Sequence, residues 1–244
     1  MLRSGGFLAF AQPGAVVGGR RPTAPLRLLV MSVVESNRSY GGLPVAQRRA
    51  QRRARFAEAA LSVFAERTYA KSSVTDICAV AGLSRRQFYE EYASREELLV
   101  AVYDDIQQDA RAAVRTAVAS VGSADLSAII VAAVTAYVSA MATDTRRAKL
   151  AFVEIVGVGA EVEAHRLLVR REWGQVLAEL AGAAMVAELP AGYLRMATTA
   201  FIGAVNATVH QWSLDDPRPP IADLVDVLTT MLLALMARIA DVAR

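Results

Sequence analysis

The sequence predicts an all-α protein, and three observations carry that reading. Beyond about residue 44, apolar residues recur at three- and four-residue intervals, the spacing of a buried helix face. No run of alternating apolar and polar residues is bounded by hairpin turns, so no strand is expected. The stretch SVTDICAVAGLSRRQFYEEY, from Ser73 to Tyr92, reads as two short helices around a tight turn at Gly82. At 244 residues, 54% of them hydrophobic, the chain can bury the core of one large or two small domains.

Residues 1 to about 44 differ from the rest. Gly, Pro, Arg and Ser interrupt short apolar pieces such as GGFLAFA and LRLLVMSVV. The first is too short for the apolar core of a signal peptide. The segment reads as a disordered extension; alternatively, Met31 is the physiological start.

Helix one is expected from Val45 to Arg67, with an apolar stripe of Phe56, Ala60, Val63 and Phe64. Its leading turns carry Arg48, Arg49, Arg52, Arg53 and Arg55. They suit a solvated basic helix end or a clamp on phosphates. In the next stretch Ser73 is placed to cap a helix, with Asp76 near its positive N-terminus. Val74, Ile77, Cys78 and Ala81 form its apolar face. Gly82 supplies the left-handed conformation that stops the helix. Ser84 caps the following helix, whose outward face carries Arg85, Arg86 and Gln87, while Phe88 and Tyr92 point inward. This is the pattern of a helix-turn-helix, in which the second helix enters the major groove of DNA. Plain helical packing would produce the same spacing, so the flanking residues decide between them. Ser94 and Glu97 form a capping box that opens a long helix, roughly Ser94 to Ser120. Further helices are expected near Asp125–Thr143, Arg146–Val156, Glu161–Val186, Pro190–Leu214 and Ile221–Ala240. Gly157 and Gly159, Leu189-Pro190 and the DDPRPP loop mark the breaks.

Charge is unevenly distributed. From Ala46 to Arg95, ten basic residues oppose five acidic ones, a net of +5; from Ser120 onward, ten oppose thirteen, a net of −3. A basic end on an acidic body suits a polyanionic partner. Cys78 is the single cysteine, which excludes an intrachain disulfide and fits a reducing compartment. On the inward helix face it reads as a small buried apolar residue. Two distant histidines and one cysteine offer no metal-ligand spacing. No nucleophile–His–acid order and no glycine-rich phosphate loop is found, so no catalytic residue, cofactor or metal is assigned and an enzyme is not expected.

The run from Leu61 to Leu99 resembles the DNA-binding domain of TetR-family transcriptional regulators. Its landmarks are Phe64 and Tyr69, Ser73-Val74, Ile77-Cys78, Ala81-Gly82-Leu83-Ser84, Phe88-Tyr89, Tyr92, Ser94 and Arg95-Glu96-Glu97-Leu98. The resemblance implies an N-terminal three-helix helix-turn-helix domain, residues 45–93, followed by a helical ligand-binding and dimerisation bundle, residues 94–244. It implies phosphate contacts from Ser73 and Tyr89, with Arg95 standing where the family usually has a phosphate-binding lysine. Ser84, Arg85, Arg86 and Gln87 occupy the recognition-helix positions. Arginine there suits guanine O6 and N7, and glutamine suits adenine N6 and N7. The basic turns of helix one, Arg48, Arg49 and Arg52, complete the DNA-binding set. Three departures stand out: Thr68 where a glycine is common, Arg86-Gln87 in place of a frequent Gly-Thr pair, and the acids Glu90 and Glu91. Those acids are expected to point away from DNA or to pair with Arg85, Arg86 or Arg95.

The resemblance also implies a homodimer through the two last, apolar helices, although they could equally complete an intrachain bundle. A dimer suits a palindromic double-stranded operator, because two recognition helices one turn apart read both half-sites. It further implies an effector pocket in the middle helices. Tyr137, Met141, Phe152, Trp173 and Asn206 are candidate linings, although ordinary core or surface packing is the better reading of each residue taken alone. His165, beside Arg166, reads as solvent-facing. The expected function is a cytoplasmic, sequence-specific transcriptional regulator, a repressor released from its operator by a small apolar molecule. The long helix from Ser94 would be the lever, and no membrane is involved. The competing reading is a helical interaction module whose basic end binds acidic partners without DNA sequence specificity.

Overall fold

The computed structural model describes residues 44–122, 125–182, 189–190 and 192–242. The expected N-terminal extension lies outside the described residues. Those residues form nine α-helices and one π-helical segment, with no strand. Their order is α1 (Val45–Arg67), α2 (Val74–Ala81), α3 (Arg85–Glu91), α4 (Arg95–Val121), α5 (Leu126–Ala142) and α6 (Thr145–Lys149). The π-helical segment Leu150–Glu154 follows, then α7 (Ala160–Ala181), α8 (Tyr193–Leu214) and α9 (Ile221–Val242).

Local chemistry sets most of these boundaries. Ser73 Oγ accepts from the Asp76 amide while Asp76 accepts from the Ser73 amide, a reciprocal capping box on α2. Gly82 ends that helix at φ 60°, and the Leu83 amide reaches back to Cys78 O at 3.1 Å. Ser84 and Gln87 repeat the capping box on α3. Ser94 caps α4 by accepting from the Glu97 amide, and Gly122 stops it in the left-handed region. At the end of α1 the chain turns at Thr68, which holds φ 68° and ψ 152°. That region suits glycine, which explains why a glycine is common at this position.

The expected helix Arg146–Val156 is divided. Asp144 caps α6, and the ladder then widens into a π-helix, closed by the Ile155 amide on Leu150 O. Such insertions concentrate at functional sites. The expected helix end near Val186 falls among residues outside the description, α7 being described to Ala181.

Two regions of packing position the site. Phe56 meets Phe88 and Tyr92 edge-on, at 5.4 and 6.3 Å, and joins α1 to α3 and its C-terminal end. Phe64 and Tyr69 do the same at the α1–α2 turn, 5.3 Å apart. In the body, α5 packs on α4 and on α9, while α8 packs on α7 and α9. Among the described residues no single helix is long and apolar enough to cross a membrane.

Candidate nucleic-acid interface and inner cavity

The helix-turn-helix presents α3 with Arg85, Arg86 and Tyr89 exposed and Phe88 fully buried beneath them. Arg85 forms no hydrogen bond or ion pair with the described residues. Arg86 pairs with Glu90 four residues on, at 3.1 Å, in full solvent view. An exposed pair of this kind is weak and yields readily to a phosphate or a base edge. Gln87 is differently engaged, because its Oε1 accepts from both the Ser84 amide and the Ser84 hydroxyl. Bidentate reading of adenine needs that oxygen as an acceptor as well as the amide NH₂ as a donor. Gln87 therefore reads adenine only by releasing at least one of those two bonds, while its own amide still caps α3 through Ser84 Oγ.

The arginines of α1 are divided in a way the sequence did not reveal. Arg48 is exposed and forms no ion pair with the described residues. Arg49 and Arg52 both bind the Glu91 carboxylate, at 2.9 and 2.6 Å. Arg53 donates to Glu91 O at 2.9 Å and lies 4.3 Å over the Tyr92 ring. Arg55 donates to Ala81 O at 2.6 Å and to Gly82 O, satisfying the carbonyl end of α2. So four of the five brace the helix-turn-helix. Arg49, its side chain 60% exposed, still faces solvent while doing so.

Glu91 is the hub of that brace, with a side chain only 1% exposed. Burial pushes its pKa upward, but hydrogen bonds from Arg49 and Arg52 outweigh this and hold the carboxyl below the ordinary glutamate range. The expectation that Glu91 pairs with Arg85, Arg86 or Arg95 is corrected: its partners come from α1, whose arginines lie across the C-terminus of α3. Only Glu90 pairs with Arg86 as expected.

Arg95 is also drawn inward. Its guanidinium lies 4.0 Å over the Tyr69 ring and donates to Tyr69 O and Ser72 O. Tyr69 Oη donates to Glu96 at 2.6 Å. Burial, then that bond, pushes the Tyr69 phenol up to about 12. Ser73 is exposed, with its hydroxyl shared with Asp76. Ser73, Ser84, Arg85, Arg86 and Tyr89 thus share the exposed side of the motif, whereas Arg52 and Arg95 fix its shape.

A seam of polar contacts ties this motif to the body. Arg146 donates to Glu58 and Ser62 of α1, at 2.8 and 2.7 Å. Lys149 Nζ donates to Ala65 O. Glu154, buried at the end of the π-helix, accepts the Tyr69 amide at 2.6 Å. Nothing in the sequence marks Glu154 as different from any helical glutamate.

Behind the seam lies an apolar cavity of about 80 Å³. Tyr137, Phe152, Trp173 and Asn206 line it, as do Gln107 and Arg170. Trp173 Nε1 donates to Gln107 Oε1 at 2.8 Å, and its ring meets Tyr137 edge-on at 5.1 Å. Met141 is fully buried but lies outside that lining. His165 is half-buried instead of solvent-facing: its Nε2 is 2.6 Å from Asp104 and its ring meets Tyr103, because α7 packs against α4 there.

Comparison with known proteins agrees with this geometry. Residues 57–102, from mid-α1 into α4, match the family model for bacterial regulatory proteins of the tetR family. A search of curated proteins returned no match. Among solved structures, the chain is similar to the fatty acid degradation regulator FadR from Bacillus halodurans, at 20% identity and TM-score 0.66 over 75% of this chain and 94% of that one. It is similar to the transcriptional regulator FadR from Bacillus subtilis in complex with stearoyl-CoA, at 17% identity and TM-score 0.65 over 74% and 97%. A TetR-like transcriptional regulator from Rhodococcus sp. RHA1 matches at 20% identity and TM-score 0.58 over 80% and 99%. At such identities these structures speak for the fold, while the family model speaks for the helix-turn-helix itself. Residues 57–102 thus carry a helix-turn-helix of the tetR family, on a chain whose all-α fold is that of the solved regulators.

Proposed function

We propose that the protein is a homodimeric repressor, released from a palindromic operator when a small molecule enters the inner cavity. The observation that carries this reading is the path from cavity to DNA-binding motif. Ala151 and Phe152 of the π-helix line the cavity. Two residues on, Glu154 holds the amide of Tyr69, whose carbonyl is held in turn by Arg95. At about 80 Å³ the cavity is well below the 300 Å³ or so of an ordinary ligand site. An effector must therefore part the surrounding helices to enter. Movement of Phe152 would reach Tyr69 through two peptide units and the Glu154 side chain. An effector that binds better to the parted state lowers operator affinity by that difference. The lever extends to the π-helix as well as α4.

For DNA contact we assign Ser73, Ser84, Arg85, Arg86, Gln87 and Tyr89 with Arg48 and Arg49 to the duplex, and Arg52 and Arg95 to positioning. The division at residues 93 and 94 between DNA-binding and regulatory parts, and a cytoplasmic location beside the chromosome, belong to the same proposal. An effector site in this fold is supported by the stearoyl-CoA complex of Bacillus subtilis FadR. The unselective basic module loses support, because four of the five α1 arginines are committed to internal partners.

The test is selection of bound sequences from a random duplex pool. Enrichment of a palindrome with half-sites about one turn apart is expected. Salt-sensitive binding without enrichment would sink the regulator mechanism.

A further inference from the structure

The wall of the inner cavity holds hydroxyls that the fold itself does not use. Tyr103 of α4 and Tyr137 of α5 both line it, and neither hydroxyl forms a hydrogen bond with the described residues. Tyr103 is only 6% exposed. Burial pushes its phenol up to about 12. Burial also pushes the Tyr137 phenol up, and the Tyr103 phenol adds to that rise. Both groups therefore keep their protons and remain donors. Buried polar groups are ordinarily satisfied within the protein, so two left open on one cavity favour a guest that brings the acceptor.

Neighbouring side chains fix the two rings. Tyr103 meets His165 edge-on at 6.3 Å, and Tyr137 meets Trp173 edge-on at 5.1 Å. Trp173 donates to Gln107 Oε1, and Gln107 lies one turn beyond Tyr103 on the same face of α4. With its oxygen taken, Gln107 has only its NH₂ group to give. Charge is sparse around these donors. No carboxylate lines the cavity, and of its two arginines Arg166 is bound to Glu163 at 2.7 Å. The other, Arg170, also lines the groove between α7 and α8. The remaining walls are aliphatic and aromatic, among them Val134, Val169, Leu177 and Phe201. A cation finds no counter-charge there, and an unpaired anion is costly among such walls.

We propose that the effector is an uncharged, largely apolar molecule whose carbonyl oxygen accepts hydrogen bonds from Tyr103 and Tyr137. This rests on the inner cavity being the effector site. A carbonyl oxygen has two lone pairs, one for each phenol. Tyr103 stands about two turns beyond Arg95 on α4. The guest thus bonds directly to the helix whose first residue holds the Tyr69 and Ser72 carbonyls.

Equilibrium dialysis of the full chain tests this with three molecules of one shape. They are benzylacetone, butylbenzene (a methylene in place of the carbonyl) and hydrocinnamate (a carboxylate in place of the methyl ketone). Benzylacetone is expected to bind roughly tenfold tighter than either. In Tyr103→Phe/Tyr137→Phe its preference over butylbenzene should collapse toward one. Butylbenzene affinity should stay within about twofold, the sign of an intact cavity. The variant should also melt no lower than the parent, because the hydroxyls it loses have no partner in the fold. A lower melting temperature would show those hydroxyls bonded within the protein and overturn the proposal. So would preference for hydrocinnamate, equal binding of benzylacetone and butylbenzene, no binding of benzylacetone, or an undiminished preference in the double variant. Butylbenzene displacing operator DNA as well as benzylacetone does would remove the carbonyl inference and leave the effector reading standing. Phenol-dependent binding of benzylacetone without operator release would do the reverse.

Discussion

At the scale of single residues, two positions carry opposite lessons about charge and backbone. Thr68 holds φ 68°, ψ 152°, a region that glycine occupies without the steric conflict of a Cβ. Replacing it with glycine keeps the amide bond to Phe64 O and removes that conflict. Thr68→Gly is expected to stabilise the fold by about 1 kcal/mol, less the added freedom of the unfolded glycine. A denaturant midpoint that fell instead would show that the threonine side chain contributes more than the strain costs. Glu91 is a buried acid beside the DNA-facing helix, legible in sequence only as a departure from the family pattern. Its partners could not be read, because the distance from Arg49 to Glu91 is 42 positions along the chain. Glu91→Gln keeps the shape and removes the charge. Breaking such a pair should cost about 1–3 kcal/mol, since Arg49 stays largely hydrated. It should also free two arginines, so non-specific DNA binding rises while discrimination between operator and random duplex falls. Competition binding at fixed salt reads both quantities. The pH dependence follows from the depressed folded-state pKa of Glu91. The unfolded chain takes up the proton first as pH falls, so this stabilisation is complete above the ordinary glutamate range. It is lost as pH drops through that range toward the lower folded value. Unfolding titrations of Glu91→Gln against the parent should therefore converge in acid and diverge toward neutrality.

At the scale of elements, the helices with caps were legible and the π-helix was not. Ser73, Gly82, Ser84 and Ser94 each announce a boundary by side-chain chemistry that acts within four residues. The sequence-predicted span of α1, Val45 to Arg67, was met for the same local reason, with Pro44 before it and a turn after it. A π insertion has no such marker: the run Leu150–Glu154 has helical periodicity, and it packs against α1, α4 and α8. The segment places Phe152 in the cavity lining and Glu154 on the Tyr69 amide. Glu154→Ala leaves the Tyr69 amide without its acceptor in a buried place and should cost about 1–3 kcal/mol. The more telling readout is coupling. With Glu154 in place an effector should change operator affinity by roughly 5–150-fold, as is usual for allosteric proteins. In Glu154→Ala that factor should shrink severalfold while effector affinity itself changes little. A full effector response in the variant would move the coupling elsewhere, with α4 alone as the remaining route.

At the scale of the whole molecule, the question is what covers the outer faces of α8 and α9. One face of each is used internally: Phe201, Val205 and Val209 on α8, and Leu224, Leu228, Leu232 and Met236 on α9, are buried within the chain. The sequence showed that both helices are unusually apolar but could not divide those residues between an intrachain bundle and a partner. The structure shows which of them the chain itself leaves exposed. Met196 on α8 remains 61% exposed, while Val227 and Met231 on α9 remain 48% and 40% exposed. Gly203, also exposed, has nothing within 4 Å of an added Cβ, so a second backbone can approach there. Val227 and Met231, four residues apart on α9, form an exposed apolar patch, a usual mark of association. A second copy of the chain is the partner proposed, because a two-fold axis would set two α3 helices against two half-sites. Met231→Arg places a charge in that patch without touching the internal face. Analytical ultracentrifugation should then show the 26.1 kDa chain in place of a species of twice that mass. Circular dichroism should retain the full helical signal. Operator affinity should drop by about 10²-fold or more, since each half-site then binds alone without the effective concentration that linkage provides. If Met231→Arg remained a dimer with unchanged operator affinity, the two-fold interface would have to lie on another face, and the spacing of the α3 helices would need a different origin.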